Sequence, residues 1–370
     1  MIVKKRLTFF DKLILALNCA AVVAMLLSYL APVADPRKYW PIAFFGLAYP
    51  FILIATLIFI PYWWMRKRTR WALLSVITIL IGWGILNNNI GLRFPSKLTL
   101  RDSNTIRVMN YNVHGFRKPG LEDYKVVTRH DAFQLIAHEK PTIFCSEEFY
   151  SRRRGRFATV DSIKKILGAD YAYFATFPAD RKEGVGMGII SVYPIINTGV
   201  IKLTGDYDIN QCIWADMKKG TQTFRVYAVH LQSIHLEFED YDYIKDVSRG
   251  KTDMQNSRRI GSKLKHAFEE RARQVMLVRE SMDACPYPFL IAGDFNDTPS
   301  SFAVNQMAKG LKNAFREKGS GLGRTYNGNF PNYQIDYIMA SKQFDVLTYG
   351  VIRKKLSDHY PVYSDLVLRP

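Results

Sequence analysis

Three uncharged stretches near the start of the chain restrict its fold more than any other feature. Leu13 to Ala34, Tyr39 to Met65 and Trp71 to Leu92 contain no Asp, Glu, Lys or Arg, and each exceeds the roughly 20 residues that cross a bilayer as a helix. A soluble helix needs a polar face to meet water, and these stretches have almost none. Three membrane spans are therefore expected. The second holds Pro41, Pro50 and Pro61, so it is expected to be a helix from Pro50 to Met65 with a kinked part before it, because proline removes a helical hydrogen bond. Trp40, Tyr62, Trp63, Trp64 and Trp71 fall near the edges of the stretches, where aromatic rings collect at a membrane interface. A cleavable signal peptide over Met1 to Ala34 is the competing reading. The two spans that follow argue against it, as does a first run longer than the apolar core of a leader.

Charge then sets the topology. Lys4, Lys5, Arg6 and Lys12 precede the first span, and Arg66, Lys67, Arg68 and Arg70 separate the second from the third, whereas the first loop holds Arg37 and Lys38 against Asp35. Basic loops stay in the cytoplasm, and an odd number of spans puts everything after Arg93 on the far side. The expectation is a multi-pass protein, of a bacterial inner membrane, with its larger part in the periplasm. The net charge of +18 has a second source in Arg152-Arg153-Arg154 with Arg156, and in Arg258-Arg259. Such a surface suits nucleic acid or anionic lipid, and equally describes a solvated face beside a membrane. Cys19, Cys145, Cys212 and Cys285 show no metal-type spacing and read as small apolar residues.

From Ile106 onward the pattern becomes that of mixed strands and helices. Helices are expected over Asp131 to Glu139, Ala158 to Leu167, Lys263 to Met282 and Ser301 to Lys309, and a strand over Val346 to Ile352. Between Tyr171 and Leu231, five strand-like segments follow one another without a helix, which favours antiparallel pairing. The polar stretch from His235 to Gly261 lies between two of the strands that carry candidate site residues. It is either a lid over the site or a surface excursion.

The chemistry-bearing residues sit at strand ends. Ile291-Ala-Gly-Asp-Phe-Asn296 runs an apolar strand into Asp294 and Asn296, whose spacing places a carboxylate and an amide on one face. Its company is Asn112 in Met109-Asn-Tyr-Asn-Val-His114, Glu148 after an apolar run, His230 in Ala228-Val-His-Leu231, Asp336 in Gln334-Ile-Asp-Tyr-Ile338, and Ser357-Asp-His-Tyr-Pro361. Gly184-Val-Gly-Met-Gly188 is a weak phosphate-loop pattern, since no helix follows it and glycines entering a buried strand explain it as well.

With these motifs in order, the chain from about Ile106 to its C-terminus resembles the endonuclease/exonuclease/phosphatase superfamily, the group that includes deoxyribonuclease I and neutral sphingomyelinases. The resemblance implies an α+β fold: a four-layer α/β/β/α sandwich of two mainly antiparallel sheets, here preceded by the three-helix membrane segment. It divides the chain into an anchor over 1–94, a linker over 95–105 and a catalytic domain over 106–370. It also implies a hydrolase that cleaves phosphate esters with Mg2+, or Mn2+, held by Asn112, Glu148 and Asp358, the last through water. Asp294 would activate the water, Asn296 would donate to a phosphate oxygen, and His230 and His359 would flank the phosphate, with Asp336 fixing the tautomer of His359. Glu147, beside Glu148, leaves the choice between the two neighbours open. His114 stands where abasic-site endonucleases carry Asp, which weakens a DNA-repair reading. Phospholipid head-groups and extracellular nucleic acid both remain as substrates. A silent module that merely holds a phosphorylated ligand is the alternative of another class.

Overall fold

The computed structural model describes residues 7–93, 102–117, 127–177, 183–204, 209–328 and 332–369. Lys4, Lys5 and Arg6, and most of the expected 95–105 linker, lie outside the described residues.

The chain opens with five helices: α1 (Phe9–Leu30), α2 (Pro36–Leu47), α3 (Tyr49–Met65), α4 (Thr69–Ile81) and α5 (Trp83–Asn89). The three expected spans form differently: the break before Pro50 is the expected one, and that within the third stretch is not. Among the described residues only α1, with 22 residues, is long and apolar enough to cross a membrane as one helix; α2 with α3, and α4 with α5, reach that length only as pairs bent by 51° and 68°. Both breaks have local causes. Tyr39 leaves helical geometry just before Pro41, and Pro50 starts the next helix after Ala48. At Gly82 a Cβ would lie 2.1 Å from the Tyr29 ring, so α1 crowds the bend, and Tyr29 donates its hydroxyl to the Thr78 carbonyl at 2.9 Å. Polar groups turn inward: Asn18 donates to Ser75 at 2.8 Å and accepts from the Trp63 indole at 2.9 Å. Arg66 pairs with Asp11 at 2.7 Å.

The rest builds strands β1 (Ile90–Leu92), β2 (Ile106–Asn112) and β3 (Ile143–Ser151) around α6 (Arg129–Glu139), then α7 (Thr159–Leu167) and β4 (Tyr171–Thr176) to β8 through β5 (Gly184–Ser191), β6 (Ile195–Lys202), β7 (Gln211–Lys219) and β8 itself (Gln222–His230). Next come α8 (Phe238–Ser248), α9 (Met254–Asp283), β9 (Phe289–Asp294), α10 (Phe302–Met307), β10 (Lys312–Asn313), α11 (Ala314–Lys318) and β11 (Ser320–Leu322). Strands β12 (Asp336–Ala340), β13 (Phe344–Val346), β14 (Gly350–Val351) and β15 (Val362–Leu368) close the chain. One sheet runs β10-β12-β9-β8-β7-β6 and the other β13-β15-β2-β3-β5-β4, with β14 added on β15. Only β2–β3 and β8–β9 pair in parallel among the sheet neighbours described. Alternation explains the layers. Val108, Ile143 and Ile189 face Ile213, Val226 and Ile338 between the sheets. Met109 and Phe144 point outward onto α6 and α7, and Val229 and Ile291 onto α9 and α10. The result is the expected four-layer sandwich.

Two segments depart from the sequence reading, and a third follows the strand alternative it gave. The expected strand over Val346 to Ile352 is two short ones, β13 and β14, because residues 347–349 loop out on backbone bonds to Asp365. The stretch from His235 to Gly261 is α8 plus the first turns of a longer α9, fastened by buried Asp240 to Lys263 at 2.7 Å and Arg259 at 2.9 Å. The glycines of 184–188 form strand β5, where a Cβ at Gly186 would meet the Ala175 carbonyl oxygen at 2.2 Å.

The helical segment docks on the sandwich from one end, the end away from Asp11 and Arg66. The Phe44 ring of α2 meets Phe268 of α9 edge-on at 5.3 Å, Tyr333 donates to the Leu47 carbonyl at 3.1 Å, and Asn89 donates to Ser300 at 2.9 Å. Strand β1 pairs with β11 along Ile90–Leu92 and Ser320–Leu322.

Candidate active site

Strand register alone assembles three of the eight expected residues. His230 pairs with Asp294 across β8–β9, and Asp336 with Asp294 across β9–β12. Gly293 permits the approach, since a Cβ there would lie 2.0 Å from the Val229 carbonyl oxygen. The facing sheet supplies Asn112 from the end of β2, Glu148 from β3, and Asp358 and His359 from the turn before β15. All eight residues expected from sequence lie in one constellation.

Its centre is Asp294 Oδ2. Asn112 Nδ2 donates to it at 3.2 Å, and the Nε2 atoms of His359 and His230 stand 3.5 Å and 3.8 Å away. Burial first, then repulsion from Asp336, push the Asp294 carboxyl up to about 6, against the pull of the two imidazoles. His359 sits between carboxylates, with Nδ1 3.0 Å from Asp336. Burial opposes its charge, but Asp336 and Asp294 outweigh that and raise it well above the usual histidine range. His230 is likewise opposed by burial yet pushed up to about 9 by Glu148, whose Oε1 is 3.3 Å from His230 Nε2. Glu148, despite its burial, is held well below the carboxylate range by His114, His230 and Asn112.

Backbone geometry sets the two glutamates apart. Alternation along β3 would turn Glu148 away from Asn112, but the register slips between Ser146 and Phe149 and Glu148 takes φ +52°. The bulge swings its carboxylate back into the cleft, where Asn112 Nδ2 donates to it at 3.0 Å. Glu147 is fully buried beside Asn110 under the cluster, and burial raises its pKa well above normal. Asn296 also sits at positive φ, as does His114. Left-handed backbone at three non-glycine residues of one site is costly and is retained where geometry matters.

Two expected roles are modified by contacts. Asn112 turns its NH2 to the carboxylates, while its Oδ1 accepts from the His114 N–H at 3.1 Å. Asn296 donates an amide hydrogen to the Leu231 carbonyl at 2.9 Å and its backbone N–H to Asp294 Oδ1 at 2.8 Å, so it braces the loop as well as facing the cleft. Sequence reading missed His114, whose Nδ1 lies 3.3 Å from Glu148 and 3.7 Å from Asp358. It also missed Tyr326, whose ring stands edge-on to His359 at 5.6 Å. Tyr241 of α8 meets the Tyr326 hydroxyl at 3.3 Å, which puts α8 beside the site. Only the position of Tyr326 ten residues before Asp336 could have hinted at it, and that is no signal.

Asp294, Asp336 and His359 are close enough together to hold a cation. Each nitrogen of His359 already faces a carboxylate, however, so its proton supplies the compensating charge there. Glu148 and Asp358, with hard oxygen atoms on the open side, are the better donors. A cavity lined by Asn88, Pro299, Asn305 and Arg316 lies at the seam with the helical segment, apart from this cluster.

The family model for the endonuclease/exonuclease/phosphatase family matches residues 109–359, more than half of the chain. The chain belongs to the endonuclease/exonuclease/phosphatase family. Residues 11–89 match a separate domain of unknown function. Solved structures similar to it include a family protein of Beutenbergia cavernae, 19% identical with a TM-score of 0.52 over 72% of each chain. Another is from Bacteroides thetaiotaomicron, 18% identical, TM-score 0.51, over 73% of this chain and all of that one. A mannosyl-6-phosphatase of the same organism is 18% identical with a TM-score of 0.50, over 71% of this chain and all of that one. Likeness at this level speaks for the fold, and the family's members are hydrolases of phosphoester bonds. No curated protein matches the chain.

Proposed function

We propose that the chain is a membrane-anchored, divalent-metal-dependent phosphoesterase, with 1–94 as anchor, 95–105 as linker and 106–370 as catalytic domain. The observation that carries this is the convergence of Asn112, His230 and His359 on one oxygen of Asp294. Such a group of cations and donors around one buried carboxylate suits a water that must lose a proton beside a phosphate.

Asp294, pushed up to about 6, is ionised at neutral pH yet basic enough to take that proton. His230 and His359, both charged, place positive charge against the phosphoryl oxygens, and Asp336 keeps the His359 ring in place through Nδ1. Asn296 supplies a second amide hydrogen toward the phosphate. Glu148 and Asp358 would hold the metal, with the remaining lone pair of Asn112 Oδ1 as a third donor, and oxygen ligands of this kind suit Mg2+ or Mn2+. When bound, that ion neutralises phosphoryl charge and stabilises the leaving oxyanion.

The substrate reading follows from the seam. The loop that begins at Asp294 ends at Ser300 on Asn89, and the loop holding Tyr326 against His359 continues to Tyr333 on Leu47. A site hung between two such loops lies near the anchor's docking end, so a phosphate ester at the bilayer surface is favoured, with a lipid head-group ahead of nucleic acid. With α1, α2–α3 and α4–α5 read as three spans, the basic loops favour that end lying outside the cytoplasm. The full chain in detergent should hydrolyse bis-p-nitrophenyl phosphate with Mg2+ and stop with chelator; no turnover with any divalent ion would favour the silent binding module. Phospholipid vesicles, DNA and RNA offered to wild type and Asp294→Ala then separate the substrates, and cleavage of nucleic acid alone would remove the lipid reading.

A further inference from the structure

We propose that Arg271 is a positioning residue, whose guanidinium on α9 fixes the backbone of the two loops that carry His230 and Asp294-Asn296. Its kinetic test rests on the phosphoesterase reading of that site. Arg271 lies on the apolar stripe of α9 with Ala272 and Val275 and is 1% exposed. A cation in that position has given up its water, at a cost met only where fixed partners replace it.

Those partners are mostly not a counter-charge. Nε stands 3.1 Å from Asp297 Oδ2 but makes no aligned hydrogen bond there. The aligned bonds run from Nη1 to the Asn296 carbonyl and, at 3.4 Å, to the Gln232 carbonyl. One turn on, Gln274, fully buried, accepts from the Gln232 N–H at 2.8 Å. The loops are also tied to each other, by Leu231 N–H to the Asp294 carbonyl at 3.0 Å and by Asn296 Nδ2 to the Leu231 carbonyl. Neutralising Asp297 would need only a positive charge. Donating from Nη1 to carbonyls of two separate loops while Nε faces Asp297 takes the several donors of a guanidinium, fixed in one plane. The clamp holds Asn296 in its left-handed conformation, from which its N–H reaches Asp294 Oδ1 at 2.8 Å. Asp294 is thus aimed by a bond that Arg271 supports.

The same helix leads outward. The Phe268 ring lies 5.3 Å from the Arg271 guanidinium and 5.3 Å from the ring of Phe44 on α2. Three contacts in series therefore join the docked helical segment to the site loops: Phe44 on Phe268, Phe268 on Arg271, and Arg271 on the loop carbonyls.

The test uses the full chain in detergent and two variants, Arg271→Met and Arg271→Met with Asp297→Leu. The single change should lower kcat on bis-p-nitrophenyl phosphate about 100-fold, the scale of an ångström misplacement. The double change, which leaves no unpaired charge, should regain the wild-type melting temperature and not the kcat. Backbone hydrogen exchange over 230–233 and 294–297 should quicken in both. Recovery of wild-type kcat in the double variant would reduce Arg271 to a counter-ion and overturn the proposal, as would unchanged exchange in the two loops. An inactive wild-type chain would sink the phosphoesterase reading, and the exchange measurement would then decide this one.

Discussion

The helical segment and the sandwich bury opposite kinds of residue. Within the helices Asn18, Ser75 and Thr78 are enclosed, while Ile58, Leu80 and Ile81 face outward at 62%, 56% and 67% exposure. Within the sandwich Ile143, Ile213, Val226 and Ile338 are fully enclosed. On the proposed membrane-anchor reading, each arrangement is what its surroundings reward: in hydrocarbon the apolar side chain gains nothing by hiding, and small or hydrogen-bonded groups make the contacts. The polar groups also differ in use. Among the helices Asn18 is satisfied by Ser75 and Trp63, and Thr78 by the Leu74 carbonyl. Those at the top of the sandwich converge on an opening.

That contrast can be broken in order of effect. Asp294→Asn should lower kcat on bis-p-nitrophenyl phosphate by about 100- to 10,000-fold and leave the melting temperature unchanged or higher. Its carboxyl is raised to about 6 by burial, so above that pH the ionised form costs folding energy. A core change should do the reverse. Ile338→Ala should cost about 2–5 kcal/mol in denaturant titration, whereas Ile58→Ala, on the outward face, should stay within about 0.5 kcal/mol; equal costs would end the comparison. With chelator present, His230 contributes stability that is complete below its ordinary value of 6.5 and lost as pH rises through about 9. Over that window wild type should lose on the order of 3 kcal/mol from this group, and His230→Gln should show a correspondingly shallower profile, with His359 still contributing. The smallest effect belongs to the helices: Asn18→Leu strands Ser75 and the Trp63 indole, and should cost about 1 kcal/mol in a detergent unfolding titration.

The strand ends were legible because their side chains follow from register. Asp294, His230 and Asp336 are neighbours across three strands that apolar runs already define. What stayed hidden depends on backbone departures that no residue type announces. The bulge in β3 sends Glu148 into the cleft and leaves Glu147 under it, and the same pattern of letters would permit the opposite. His114 read as a departure from one subgroup, yet its left-handed backbone lays the ring against Glu148 and Asp358. Tyr326 comes to His359 through a bridge between two loops distant in sequence. The uncharged stretches gave away three apolar segments, and the prolines the bend before Pro50, but not the break at Gly82, which the Tyr29 ring from another helix crowds.

The pairing of β1 with β11 has a practical consequence. Removing everything before residue 95 would uncover the hydrogen-bonding edge of Ser320–Leu322 and the Phe268 ring together. An open edge beside an exposed aromatic surface invites strand exchange between copies. A trimmed enzyme is therefore expected to associate or precipitate, and short-chain detergent or a peptide of residues 83–93 should keep it dispersed.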